Sequence, residues 1–293
     1  MSESKPKMMR ATGLLIIEAL NSNPNGDPDN ESNPRMRMND YGEISPVSFK
    51  RKLRDLVDDK EGPVWEAVSA GYKTALSPNE FVILESRGRD RKGIEKEIAD
   101  KTFQGKYWDG RVFGNTFLEE GSSSALRTGV VQFGLGVSVA PIRVRALTTT
   151  NKAGVQEDKD RGMAPLGYRV VEHGVYCMPF FVNPSVASKS GCTPRDIEVL
   201  CRVIPYAYAH TASYIRTAVE IRRAWFMEHK SPLGSVSDFE LIAAMTPKKK
   251  SAPEEPSQSW SDYDVPTDLP AHLRVRLANI EDLMTRAYSR AGA

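Results

Sequence analysis

The feature that most constrains this chain is an apolar run from Thr12 to Leu20 that ends in a loop rich in asparagine and proline. The run is too short to span a membrane and has the length of a strand that is buried on both faces. The loop cannot continue this strand, because Pro24 and Pro28 lack the N–H that a ladder needs and the Asn-Gly pair between them favours positive φ. We therefore predict a buried strand followed by a turn-rich loop.

A basic helix is predicted directly after this loop. Ser45 is placed to cap it, and Pro46 occupies the first helical position, where a missing N–H costs nothing. Apolar residues at helical spacing form one face of this helix: Phe49, Leu53, Leu56 and Val57. Its basic residues are expected to point away from the core: Lys50, Arg51, Lys52 and Arg54. Residues 34–54 hold six basic and two acidic side chains, a local charge of +4 in a chain whose total is +2.

Residue patterns argue against several classes of protein and site. Three cysteines without Cys-x-x-Cys spacing disfavour a disulfide framework and a zinc site, so a reducing cytoplasm is expected. No segment is typical of a secretion signal or a membrane span. The four histidines are scattered, and there is no nucleophile elbow or Walker loop. Asp27, Asp29 and Glu31 alternate as in a calcium loop, but Ser32 and Met38 stand where glycine and glutamate are required. We therefore expect no cofactor and no metal.

The rest of the chain alternates between strand patterns and less regular segments. Three further regions are predicted to form strands: 130–144, 170–182 and 218–230. Thr193 and Asp196 suit a capping box for a helix that Pro205 is expected to kink. Residues 246–268 have too little apolar content to fold alone and are expected to be a flexible loop. A strand over 273–277 and a helix capped by Asn279 are predicted to end the chain.

Several sequence blocks, in this order, also carry a family resemblance: Asn23–Asp29, Pro34-Arg35, Ser48–Arg54, Asp109–Gly114, Arg127–Gln132, Arg161–Met163 and Phe226–Gly234. Together they resemble the backbone subunit of type I CRISPR Cascade complexes, a member of the RAMP superfamily. The likeness is greatest to the subtype I-C branch, with subtype I-B close behind. It runs from about residue 12 to residue 245 and so covers most of the chain.

The resemblance implies an α+β fold. Its core would be a modified RNA-recognition-motif palm, which is ferredoxin-like with an antiparallel sheet, extended by a helical finger and a thumb. The expected boundaries are palm over 1–60, 107–147, 175–245 and 269–293, finger over 61–106, thumb over 148–174 and flexible loop over 246–268. The charge run in 85–101 is independently expected to be a solvated, mostly helical insertion.

The resemblance also implies a function and a set of partners. The chain would bind CRISPR guide RNA (crRNA) without regard to sequence and would oligomerise head-to-tail along the guide. It would support the pairing of the guide with target DNA, beside other Cascade subunits and an effector nuclease-helicase. No enzymatic activity and no membrane partner are expected.

RNA contacts are expected at phosphate and sugar, because a backbone subunit must accept any guide sequence. The candidate residues are Asn25, Arg35, Ser48, Lys50, Arg51, Arg54, Arg127, Arg143, Arg161, Met163 and Arg169. Arg143 and Arg145 are spaced to share one strand face, and a simple edge-strand charge pair explains them equally well. Met163, between Arg161 and Arg169, is the candidate for a thumb wedge that displaces a base, with a packing role as the alternative.

Two other functions stay open at this point. A metal-dependent endoribonuclease would use Asp27 or Asp29, because related subunits of type III complexes cut RNA with a loop aspartate and a metal ion. A protein-interaction scaffold would bind no nucleic acid at all. The sequence lacks the aromatic pattern with which ordinary RNA-recognition motifs stack bases on their sheet, which favours a palm that grips the RNA backbone.

Overall fold

The structure is a computed structural model that describes residues 8–72, 76–86, 91–114, 128–151 and 164–288. Its strands are β1 (Ala11–Ser22), β2 (Gly26–Asp27), β3 (Asn33–Pro34), β4 (Tyr41–Ile44), β5 (Val131–Phe133), β6 (Gly136–Pro141), β7 (Val144–Asn151), β8 (Ala164–Val182), β9 (Val219–His229), β10 (Lys248–Lys249), β11 (Tyr263–Asp264) and β12 (Leu277–Asp282). Its helices are α1 (Pro46–Asp58), α2 (Pro63–Ala70), α3 (Arg91–Ala99), α4 (Phe103–Lys106), α5 (Trp108–Phe113), α6 (Ala187–Ser190), α7 (Pro194–Val203), α8 (Asp238–Met245), α9 (Ala271–Arg274) and α10 (Met284–Tyr288). Within these ranges no helix has both the length and the apolar character to cross a bilayer.

The predicted N-terminal strand is an interior strand of a large antiparallel sheet. The strand order is β12-β9-β1-β8-β6-β4, and β5 and β7 also pair with β8. Leu14 of β1 lies opposite Pro179 of β8 on one side and Trp225 of β9 on the other. The four residues 14–17 are fully buried, which confirms the prediction of a strand apolar on both faces.

Alternate residues of β1 face opposite sides of the sheet. A layer of chain covers each side. On one side Leu15 and Ile17 pack with residues of α1, α2, α5 and α7. On the other side Leu14 and Ile16 pack with α8, α9 and the segment between them. Neither face of the central strands is therefore left open as a platform for bases. The fold is a mixed α/β architecture around one large antiparallel sheet.

The longest strand, β8, serves two purposes. Its C-terminal half pairs with β1, and that ladder ends where Ser22 meets Val171. Its N-terminal half pairs instead with β7, from Val144 opposite Val171 to Asn151 opposite Ala164. The β7–β8 hairpin consequently extends past the end of β1. It occupies the region expected to be the thumb, and residues 152–163 lie outside the described part of the chain.

The helix starts predicted at Ser45 and at Thr193 are confirmed. The Ser45 side chain accepts a hydrogen bond from the Val47 N–H at 3.2 Å, and Pro46 begins α1. Thr193 and Asp196 form a reciprocal capping box at the start of α7. Helix α7 ends at Val203, and a 3₁₀ turn over Ile204–Tyr206 follows at the predicted proline kink.

The C-terminal segment does contain a strand followed by a helix, β12 and α10, but the predicted positions are wrong. Residues 271–274 form helix α9, and the strand comes later, where β12 pairs antiparallel with β9. Asn279, predicted to cap a helix, lies within this strand. Long-range contacts explain the shift: the Asp282 carboxylate accepts the Ala224 N–H at 3.0 Å and lies 3.0 Å from Arg223.

The prediction of a flexible loop over 246–268 is also wrong, because this segment docks on the sheet. Strands β10 and β11 pair, with Lys249 opposite Tyr263. The Tyr263 hydroxyl donates to Ser257 Oγ at 2.8 Å, and Ser257 Oγ lies 2.7 Å from Nδ1 of the buried His173. The sheet thus supplies the apolar surface that the segment lacks by itself.

The described residues of the region 61–106 are mostly helical. They contain α2, α3 and α4. The strand-like pattern at 81–84 does not form a strand of the sheet. Phe81, Ile83 and Leu84 are buried, and Val82 makes only an isolated bridge to Tyr107.

Candidate nucleic-acid interface

The loop between β1 and α1 is held in place by its own asparagines. Asn25 is 6% exposed, its Oδ1 accepts the Ser45 N–H at 2.7 Å, and its backbone oxygen accepts the Arg35 N–H at 3.0 Å. These bonds tie the loop to the start of α1. Asn25, predicted to donate to RNA, is therefore engaged in folding the loop and does not present its side chain to solvent.

Arg54 does not point into solvent as predicted. Its side chain is 4% exposed, and its guanidinium lies 2.9 Å from Asp109 and 2.8 Å from Glu85. Asp109 also accepts the backbone N–H groups of Leu84 and Glu85, at 2.6 and 3.1 Å. The outer side of α1 is covered by this second layer of chain, which local spacing cannot reveal. Arg54 consequently serves the fold.

Lys52 is likewise buried, contrary to the prediction. Its ammonium donates to Thr211 Oγ1 at 2.8 Å and lies 4.9 Å from the centre of the Tyr208 ring. Burial lowers the pKa of Lys52 to about 8, with a smaller contribution from the neighbouring Arg216. This lysine fixes α1 against the segment that precedes β9.

Of the residues predicted to contact RNA on α1, Ser48, Lys50 and Arg51 stay accessible. Arg51 is exposed, pairs with Asp55 one turn later at 2.8 Å and donates to the Glu85 carbonyl at 3.2 Å. Lys50 is half-buried and lies 5.8 Å from the centre of the Phe113 ring. Burial, followed by the repulsion of Arg54, lowers the pKa of Lys50.

Arg35 is half-exposed on the loop and lies 3.2 Å from Asp27. Its Nε is buried and has no hydrogen-bond partner among the described residues. The ion pair with Arg35 also engages the carboxylate of Asp27, one of the two aspartates considered for a metal-dependent nuclease. In the described ranges no three or more His, Cys, Asp or Glu side chains come together to hold a metal ion.

Further cations lie at the base of the β7–β8 hairpin. The Arg143 side chain, just before β7, is 66% exposed and is 3.9 Å from Glu172. Arg145 donates to Asn21 Oδ1 at 3.3 Å, and Arg169 is exposed. Three other predicted RNA-contact residues lie outside the described residues: Arg127, Arg161 and Met163.

The loop and the hairpin base meet at a cleft of about 340 Å³. Asn23 and Asn33 line it from the loop side, and Gly167 and Arg169 line it from the hairpin. Sequence reasoning did not single out Asn23, although it stands first in the asparagine-rich loop. Its importance depends on contacts with Ser32 and with the segment before β9, which no local pattern specifies.

Comparison with known proteins places the chain in a family. Residues 9–268 match the family model described as CRISPR-associated protein Cas7. No curated protein matches the chain.

Many solved structures resemble the chain, and the three described here do so at low sequence identity. A chain of a CRISPR RNA-guided surveillance complex in a pre-nicking state is 13% identical, with a TM-score of 0.47 over 74% of this chain and 77% of that one. A chain of a second CRISPR RNA-guided surveillance complex is 14% identical, with a TM-score of 0.39 over 73% and 68%. A chain of the type III-B Cmr-beta complex bound to cognate target RNA is 12% identical, with a TM-score of 0.42 over 75% and 61%. By its match to the family model, the chain belongs to the CRISPR-associated protein Cas7 family, the crRNA-binding backbone subunits of CRISPR surveillance complexes.

Proposed function

We propose that this chain is the repeated subunit that coats the guide RNA in a type I Cascade complex, most like those of the I-C or I-B branch. The observation that carries the proposal is the family match over residues 9–268. The ordered sequence blocks that resemble type I subunits support the finer assignment. A cytoplasmic location belongs to the same proposal.

The large sheet with its two covering layers would be the palm, of the RNA-recognition-motif type. The helices within 61–106 would be the finger, and the β7–β8 hairpin within 148–174 would be the thumb. Because both faces of the central strands are covered, guide bases are not expected to stack on the sheet. The palm would grip sugar and phosphate instead, which leaves the bases free to pair with target DNA.

The contacts that we propose for the guide lie on three neighbouring elements. They are Ser48, Lys50 and Arg51 on α1, Arg35 on the loop, and Arg143 and Arg169 at the hairpin base. Phosphate contacts by such side chains carry no sequence information, as a subunit that accepts every guide requires. Arg127, Arg161 and the wedge residue Met163 stay predictions, whereas Arg54 and Asn25 leave the set because the fold engages them.

Repetition along one RNA needs a head-to-tail interface that does not close on itself. Exposed apolar side chains lie beside both edges of the sheet. Met36 and Met38 lie next to the edge strand β4, and Leu233 and Val275 lie next to the edge strand β12. We propose that one edge of each copy meets the opposite edge of the next. Other Cascade subunits and the effector nuclease-helicase would join this filament.

No catalytic role is proposed, and the endoribonuclease alternative is not favoured. Incubation of the protein with RNA and Mg²⁺ tests this directly. RNA should stay intact. Cleavage that disappears in Asp27→Ala would contradict the proposal.

The decisive experiment is the nucleic-acid content and size of the purified protein. The wild type should co-purify with RNA of uniform length in a large assembly, and Lys50→Glu combined with Arg51→Glu should lose that RNA at moderate salt. Lys92→Glu with Lys96→Glu on α3 makes the same change of charge outside the proposed site and should retain it. Retention of RNA by the α1 variant would refute the proposed site.

A further inference from the structure

The cleft between the loop and the hairpin is lined by Asn23, whose side-chain oxygen is buried and unpaired among the described residues. Asn23 is 1% exposed. Its backbone N–H donates to the Ile215 carbonyl at 2.7 Å, and its Nδ2 donates to the Ser32 carbonyl at 2.8 Å. Its Oδ1 has no hydrogen-bond partner among the described residues. An amide flip does not remedy this, because Nδ2 is needed where it is. A buried acceptor of this kind indicates a missing donor.

The walls of the cleft suit one unit of a nucleic-acid backbone. About 340 Å³ is at the small end of ligand-sized sites. Arg169 supplies an exposed cation on the hairpin side, and Thr148 and Asn33 add polar groups. Glu31 also lines the cleft and repels a phosphate, so a phosphate would lie at the Arg169 end. The floor at Gly167 is open, since a Cβ added there meets no atom within 4 Å.

The chemistry of the cleft distinguishes between possible donors. A base edge would present different groups in different guides, so a site that reads a base edge could not accept every guide sequence. The ribose 2′-hydroxyl is present in every RNA nucleotide, donates a hydrogen bond, and is absent from DNA. It also lies within one nucleotide of a phosphate that Arg169 can contact.

We propose that this cleft binds one ribose-phosphate unit of RNA, with the 2′-hydroxyl donating to Asn23 Oδ1 and the phosphate at Arg169. The cleft would thereby select RNA over DNA. The inference rests on the proposed function, because it assumes that guide RNA passes over the loop and the hairpin. It adds a group that reads the sugar to contacts that otherwise recognise the phosphate backbone.

The test compares oligonucleotides of one sequence in three sugar chemistries: RNA, DNA and 2′-fluoro RNA. The 2′-fluoro strand keeps the RNA-like sugar pucker but cannot donate a hydrogen bond. The wild-type protein should bind RNA about tenfold more tightly than the 2′-fluoro strand, the effect of one unmade hydrogen bond. DNA should bind no better than the 2′-fluoro strand.

A variant that narrows the cleft completes the test without removing a hydrogen bond from the loop. Gly167→Leu should weaken RNA binding more than DNA binding, so that the RNA-to-DNA affinity ratio falls to about one. Gly105→Leu is the matched control, because a Cβ there also meets no atom within 4 Å and the site lies on α4. Equal binding of RNA and 2′-fluoro RNA, or an unchanged RNA-to-DNA ratio in Gly167→Leu, would overturn the inference alone. Failure of the wild type to bind any strand would overturn the proposed function as well.

Discussion

The basic side chains of helix α1 and those of the β7–β8 hairpin are held in different ways. Arg54 on α1 is 4% exposed and contacts two carboxylates within 3 Å. Arg143 at the hairpin base is 66% exposed, and its nearest carboxylate neighbour, Glu172, is 3.9 Å away. The first guanidinium is engaged inside the fold, whereas the second faces solvent with its donors accessible.

This difference shows that burial decides what a basic residue does. Removal of an ion from water costs several kcal/mol, so a buried guanidinium must keep its carboxylate partners. An exposed ion pair contributes about 0–1 kcal/mol, so a phosphate readily displaces the carboxylate. Of the four basic residues on α1, Lys52 and Arg54 are buried and held by partners inside the fold. The surface of α1 that we propose for RNA is therefore smaller than the local charge suggests.

The largest effect is expected from the loss of Asp109. Asp109→Ala leaves Arg54 charged and buried and removes the acceptor for two backbone N–H groups. The free energy of unfolding should fall by about 3–5 kcal/mol, the usual cost when one partner of a buried pair is removed. Urea denaturation followed by circular dichroism at pH 7 measures this change.

Arg51→Ala is the control for that experiment, since it removes an exposed pair from the same helix. Its effect on unfolding should be about 0.5 kcal/mol or less. Comparable stability losses in Asp109→Ala and Arg51→Ala would break the distinction between the two classes of arginine.

The features of the fold that depend on neighbouring residues could be predicted from the sequence. Ser45 with Pro46 specifies the start of α1, and Thr193 with Asp196 specifies the start of α7, because a cap uses side chains within one turn of its helix. The buried strand β1 was predictable for a similar reason. Its continuous apolar run ends at residues that cannot pair.

Features that depend on distant partners could not be predicted in this way. Helical spacing places Arg54 opposite the core, but Asp109, 55 positions later, turns that side of α1 into a second interior. The segment 246–268 looks unable to fold until Ser257 meets His173 from another strand. For the same reason the unpaired Oδ1 of Asn23 has no sequence signature.

The next largest effect concerns the hairpin. Arg143→Ala combined with Arg169→Ala should reduce the slope of log K against log salt by about 1.4, or roughly 0.7 for each lost phosphate contact on a single strand. Unfolding should hardly change, because both side chains are exposed. Arg274→Ala, at an exposed arginine on α9, should leave the slope unchanged. Fluorescence anisotropy with one labelled RNA over a range of salt concentrations measures it, and an unchanged slope in the double variant would show that the hairpin does not touch RNA.

A smaller effect, on the pH dependence of stability, is expected from the buried His229. Burial lowers the pKa of His229 more than the neighbouring Asp238 raises it. His229 Nδ1 accepts the Ser235 N–H at 3.0 Å, and its Nε2 lies 3.1 Å from Thr12 Oγ1. The Thr12 hydroxyl donates to Asp238, which also pairs with Arg10. In the unfolded chain His229 binds a proton near pH 6.5, whereas in the folded chain it does so only at lower pH. The free energy of unfolding should therefore decrease as the pH falls below about 6.5.

Urea denaturation at pH 7.5 and pH 5.5 checks this prediction. The exposed His272 provides the control. His229→Gln should flatten the pH dependence, whereas His272→Gln should leave it as in the wild type. An equal decrease in the wild type and in His229→Gln would assign the pH dependence to other groups.

The smallest effect separates stability from binding on α1 itself. Asp55→Ala removes the partner of Arg51, which lies 2.8 Å away in an exposed pair one turn apart. The free energy of unfolding should fall by about 0.3–0.5 kcal/mol, as for other such helix pairs. RNA affinity should rise by about twofold at low salt, because a carboxylate no longer competes with phosphate for the guanidinium. If RNA affinity falls instead, Arg51 depends on Asp55 for its orientation and the pair acts as a unit. In that case Arg51 would belong with the structural cations of α1, and Lys50 would be the cation of this helix left for RNA.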